Sequence, residues 1–175
     1  MAWSNSRDGY GALSISLHWL TLVLLVLVYA SMEFKGMYPK GSVERDVMMS
    51  RHYMLGLTVF IVTVVRVLAQ FAGEKPVISP PPPAWQEKLA KAVQGILYLM
   101  MLGLPILGWL TLSAKGEPIP FFGVELPPLI GASKQAARAL KEVHEAIATF
   151  GYAVIGLHAA AAIYHHHVVR DNTLR

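Results

Sequence analysis

Cysteine is absent from all 175 residues. Disulfides, thiolate-held iron–sulfur clusters and the CxxCH attachment of a c-type haem are therefore excluded, and any metal must be held by other side chains. Charge is scarce as well: only 15% of the residues are Asp, Glu, Lys or Arg, and 54% are hydrophobic. A soluble domain carries about 25% charged residues. This chain reads instead as an integral membrane protein whose solvent is the lipid bilayer, and no role with nucleic acid is expected. A short apolar core followed by a small-residue cleavage site is also missing near the N-terminus, so the first hydrophobic run is expected to remain as an anchor.

Four apolar segments are present, each near the roughly 20 residues that cross a bilayer. They run over about 13–32, 47–68, 89–112 and 135–168. The third contains Pro105, a candidate kink. Between the second and third lies AGEKPVISPPPPAWQ, whose four consecutive prolines read as an extended spacer. Between the third and fourth, SAKGEPIPFFGVELPPLIGAS is too rich in Gly and Pro for a helix, and reads as an ordered cap or a mobile loop. With no internal repeat, the expectation is all-α: a single domain over 1–175, an antiparallel four-helix bundle in the membrane.

Four spans put both termini on one side. Arg7, Arg66, Lys75, Lys88, Lys91, Arg170 and Arg175 then share that side, and Lys35, Lys40, Arg45, Arg51, Lys115, Lys134, Arg138 and Lys141 share the other. Seven cations against eight give no bias, so the positive-inside rule does not orient the bundle.

The histidines carry the chemistry. His144 and His158 are 14 residues apart in the fourth segment, close to four helical turns and about 21 Å of rise, so they share a face at different depths. Gly151 lies midway, where a flat, bulky group could approach the backbone, and His165 continues the seven-residue step. His18 lies early in the first segment and His52 early in the second. Antiparallel threading then sets His18 level with His158, and His52 level with His144. Two imidazole pairs at two depths suit two stacked haems, each iron taking one ring above and one below its plane.

Single histidines in a membrane often serve as hydrogen-bonding or interface residues, but four at matched depths argue for function, because an unpartnered ionisable group there is costly. Zinc would want a compact tetrahedral set, and these four split into two distant pairs. The run His165–His167 is followed by VVRDNTLR, which argues against an affinity-tag remnant.

LSISLHW, RHYMLG, LPILGW and above all VHEAIATFGYAVIGLHAAAAIYHHHVVRDNTL resemble the bacterial cytochrome b561 family over essentially the whole chain. The resemblance implies an inner-membrane protein with two non-covalent b haems and cytoplasmic termini. It implies His18 and His158 as ligands of the cytoplasmic-side haem iron, and His52 and His144 as ligands of the periplasmic-side one. Trp19 and His165 match positions beside a ubiquinone site. Within the family the chain closely resembles members that oxidise superoxide and reduce ubiquinone. Gln94 stands where many members carry a further histidine, so that position is not a needed ligand.

A bis-His iron has no open position and should pass electrons instead of binding oxygen. Lys35, Arg51, Lys115 and Arg138 are candidates for steering the superoxide anion, beside the plainer reading of a solvated rim. His165 could hydrogen-bond a quinone carbonyl and supply a proton, while Trp19 and His165 also suit an interfacial belt. Two alternatives stand: a cytochrome b subunit linking a periplasmic dehydrogenase or a redox carrier to quinone, and a His-lined metal transporter.

Overall fold

A computed structural model describes residues 3–7 and 9–172. Thr173 and Leu174 of the DNTL motif, and Arg175 of the charge count, lie outside the described residues. Four long helices form: α1 (Ala12–Lys35), α2 (Val43–Phe71), α3 (Ala84–Lys115) and α4 (Lys134–Tyr164), the last continued by a π-helical turn, His165–Val169. All four are long and apolar enough to cross a membrane. Each extends past its predicted bounds, because polar first and last turns continue the helix into the headgroup region. The fold is an all-α integral membrane four-helix bundle.

Local chemistry sets the helix ends. Ser42 and Ser133 cap α2 and α4, accepting from Arg45 N and Ala136 N at 3.3 Å. Glu44 and Asp46 lie in the first turn of α2, where the helix dipole favours negative charge. The proline run stops at Pro83, and α3 begins at the next residue. It continues through Pro105 and ends on Gly116 in the left-handed conformation, φ 70°.

Interior contacts are few, and most apolar side chains face outward. Leu20, Leu22, Val23, Val26 and Leu27 on α1 are exposed, as lipid-facing residues must be. Leu24, Val59 and Met101 form one buried cluster, and Leu57, Leu112 and Ile119 another. α1 packs along α2, α3 along α4, and α2 meets α3, but no Cα of α1 comes within 8 Å of one in α4. The bundle is two helical hairpins joined along α2 and α3, with a gap between α1 and α4.

The connection after α3 is an ordered cap. A short hairpin, β1 (Pro120–Phe121) and β2 (Val124–Glu125), turns at Phe122 and Gly123, both with positive φ. Trp109 Nε1 donates to the Pro127 carbonyl at 3.0 Å, and Leu129 N donates to Ser113 Oγ at 3.0 Å. At the other end, Val77 N donates to the Arg7 carbonyl, and Ser79 N to Asn172 Oδ1 at 2.8 Å. The α2–α3 connection and both terminal segments thus meet at one end of the bundle, called the terminal end below; the hairpin cap marks the far end.

Candidate functional site

At the far end, His52 of α2 and His144 of α4 face each other with ring centroids 6.2 Å apart. His52 Nδ1 lies 3.3 Å from both the Val28 carbonyl and Ser31 Oγ. A carbonyl only accepts, so Nδ1 carries the proton and Nε2 keeps its lone pair, the form a metal-binding imidazole needs. His144 Nδ1 is buried, and the Leu104 backbone lies beside this ring. A methyl group added at Gly108 would rest 3.6 Å from the Cε1 of this ring. Both histidines line a cavity of about 540 Å³ whose other walls include Tyr29, Leu104 and Trp109. That size is within the range of small-molecule and cofactor sites, about 300–1,000 Å³.

Lys35, Lys115 and Lys141 also line this cavity. Arg51 and Arg138 do not; Arg51 is exposed, and Arg138 pairs with Glu142 at 2.9 Å. Lys141 was not among the steering candidates, although it precedes His144 by three residues and so shares its helix face. Lys115 and Lys141 have carboxylate neighbours, Glu117 at 3.5 Å and Glu145 at 2.8 Å.

At the terminal end, His18 of α1 and His158 of α4 have ring centroids 6.4 Å apart. Trp19 meets the His18 ring edge-on at 5.9 Å and is 59% exposed. Arg66 of α2 places Nη2 3.2 Å from His18 Nδ1 and stacks its guanidinium over Tyr98, 5.7 Å from the ring centroid. His165 sits one further turn-pair along α4. Its Nδ1 bonds Asp171 Oδ2 at 2.6 Å, and Asp171 is only 2% exposed. No ring contact joins His165 to Trp19 among the described residues.

The space at Gly151 is filled by side chains of α1 and α3. A Cβ there would collide with the Tyr29 hydroxyl and come within 2.6 Å of the Met100 methyl. Tyr29 reaches from α1 across the gap and donates to the Ala148 carbonyl at 2.9 Å. Beside it Tyr152 donates to Glu33 at 2.6 Å. These side chains form a waist between the two histidine levels, so Gly151 marks where the hairpins are tied together.

The ring spacing tests whether the pairs suit iron. A first-row metal lies about 2 Å from an imidazole nitrogen, and roughly 1 Å more reaches the ring centre, so two rings on opposite sides of one ion stand about 6 Å apart. Both observed spacings, 6.2 and 6.4 Å, match. Among the described residues no three His, Cys, Asp or Glu side chains cluster as metal ligands. Each site therefore offers two imidazoles, and a planar macrocycle would supply the remaining donors of a six-coordinate iron.

A membrane bundle with opposed imidazoles and a cleft between its hairpins is built as a membrane cytochrome b. The comparisons narrow the class: the family model for prokaryotic cytochrome b561 matches residues 9–175, and the chain belongs to that family of membrane electron-transfer proteins that bind b-type haem. It is 38% identical over 160 residues to cytochrome b561 homolog 1 of Escherichia coli K12, covering 91% of each chain. It is 34% identical over 165 residues to the probable superoxide oxidase CybB of Yersinia pestis, covering 94% of this chain and 93% of that one. It is 31% identical over 172 residues to cytochrome b562 of Cereibacter sphaeroides, covering 96% of this chain and 94% of the other. The family and the four spans make it a bacterial inner-membrane oxidoreductase.

Proposed function

We propose that this chain is a superoxide:ubiquinone oxidoreductase that carries electrons from superoxide at the periplasmic far end to ubiquinone at the cytoplasmic terminal end. The observation that carries the proposal is the pair of opposed imidazole sets, His52/His144 and His18/His158, each at a spacing that fits one iron. Similarity to a probable superoxide oxidase supports the choice of donor. When bound, one haem b in each set supplies a reversible one-electron carrier.

The residues do the rest. Lys35, Lys115 and Lys141 at the far-end cavity draw in a small anion. Two superoxide ions each lose one electron and leave as dioxygen; one ubiquinone gains two electrons and two protons. His165 is suited to the quinone end: Asp171 accepts from Nδ1–H and holds the ring, which leaves Nε2 for the quinone, and the imidazolium form of the ring can pass a proton from Nε2 to a quinone oxygen. Trp19 offers an exposed aromatic face at the same end.

The test is a haem-to-protein ratio near two in the purified chain, with stopped-flow reduction of both haems by superoxide and reoxidation by ubiquinone. Failure of superoxide to reduce the haems would remove the donor assignment and leave the cytochrome. The exposed Phe122 and Val124 on the hairpin cap favour a second reading, in which a periplasmic dehydrogenase or redox carrier docks there and delivers the electrons. Activity of the isolated chain with superoxide alone separates the two.

A further inference from the structure

Arg66 is a charge within a membrane span that the proposed reaction does not use. It interrupts the apolar run VFIVTVVRVLA of α2 and is half-buried in the bundle. A cation within a membrane span is costly unless an opposite charge or water meets it. None of the ion pairs among the described residues includes Arg66. Its contacts are a histidine nitrogen and an aromatic face.

The histidine contact has a chemical cost. A guanidinium only donates, so when it bonds His18 Nδ1 the proton of the neutral ring is on Nε2. Nε2 is then the nitrogen left for iron, and it is protonated. His52 shows the opposite arrangement, with acceptors at Nδ1 and Nε2 free. For His18 to ligate as His52 can, Arg66 must give its N–H groups to a different acceptor.

Building on the two-layer reading above, we infer that this acceptor is a carboxylate of the porphyrin held between His18 and His158, and that Arg66 anchors it. A haem brings two propionate carboxylates on one edge, and a guanidinium takes a carboxylate with two parallel hydrogen bonds. One exchange then satisfies three groups: the half-buried cation gains a counter-charge, the carboxylate gains donors, and His18 moves its proton to Nδ1 and frees Nε2. Arg66 would hold that carboxylate from α2.

The experiment uses the full chain produced in haem-starved cells, purified in a nonionic detergent and titrated with iron protoporphyrin IX or its dimethyl ester. Parent, R66K and R66Q chains are compared by low-spin absorption, with the terminal layer assigned by difference from His18→Ala. An intact far-layer spectrum shows that a variant has folded. In the parent, esterification should weaken loading of the terminal layer by about tenfold or more, the scale of a charged hydrogen bond. In R66Q the acid form should be weakened to a similar degree and esterification should add little, with R66K between. The inference is overturned if acid and ester load the parent equally, or if R66Q keeps the full ester penalty. It is also overturned if the R66Q defect appears only when anionic phospholipid is added, which would assign Arg66 to a lipid phosphate. Absence of any low-spin spectrum from the terminal layer of the parent would instead defeat the two-layer reading itself.

Discussion

At the far end His52 turns its Nδ1 proton toward Val28 and Ser31 and faces an open-mouthed cavity with lysines among its walls. At the terminal end His18 is exposed on the flank of the bundle and meets a guanidinium and a tryptophan. Ring spacing is nearly the same in both layers, because it follows from where helix pitch and antiparallel threading set four side chains. The surroundings differ because the tasks proposed for the two ends differ. A layer that receives a small anion from water needs cations at a cavity that it can enter. A layer that borders a quinone site needs a flat apolar approach and a proton donor, and can keep a fixed cation inside the span.

Removing the ligands one layer at a time separates the two ends most severely. His52→Ala or His144→Ala should take the haem content from near two to near one and leave the terminal-layer spectrum. His18→Ala or His158→Ala should do the reverse. Grouping of His18 with His144 in the spectra would contradict the depth pairing on which both layers rest.

Next in size is the quinone step. His165→Ala should slow haem reoxidation by ubiquinone by about a hundredfold, the low end of what a positioned proton donor contributes, with Trp19→Ala smaller. Superoxide reduction and haem content should stay near those of the parent. An unchanged reoxidation rate in both variants would take the quinone site away from the terminal end. Smaller again is the steering effect: neutralising Lys35, Lys115 and Lys141 together should slow superoxide reduction severalfold and leave the quinone step alone. Added salt should mimic this in the parent, since the Debye length falls from about 10 Å at 0.1 M to about 3 Å at 1 M. The same slowing from Arg51 and Arg138 alone would shift the approach path away from the cavity.

The four spans and the histidine levels were legible in the sequence because both depend on spacing within single helices. Contacts made between helices were not. Gly151 signals that something approaches the backbone of α4, but that it is the Tyr29 hydroxyl and Met100 depends on how two other helices are rotated. An ordered cap was one of two readings of the segment after α3, but the hairpin within it was hidden: its turn puts Phe122 at φ 46°, a conformation that non-glycine residues rarely take. Lys141 was legible and passed over, since the i,i+3 relation to His144 is visible in KEVH. Asp171 lies past the helix, and the π-helical turn that swings it back to His165 has no clear signal in HHHVV.

The smallest effect tests whether the two layers are tuned independently. Ser31 is buried, its hydroxyl donates to the Val28 carbonyl at 2.6 Å, and its oxygen lies 3.3 Å from His52 Nδ1. A hydrogen bond from Nδ1 to an acceptor pushes electron density toward Nε2 and makes the imidazole a more basic ligand, which favours the ferric state. Ser31→Ala removes one of the two acceptors and leaves the Val28 carbonyl as the other. The net worth of one such bond is about 1 kcal/mol, and for a one-electron couple a tenfold change in equilibrium is about 59 mV. The far-layer midpoint potential should therefore rise by a few tens of millivolts, with the terminal-layer potential, haem content and quinone step unchanged. A fall in the far-layer potential would mean that Ser31 acts on His52 as a donor, reversing the tautomer. Equal shifts in both layers would mean that the waist of Tyr29, Gly151 and Met100 transmits the change, and that the two ends are not separate sites.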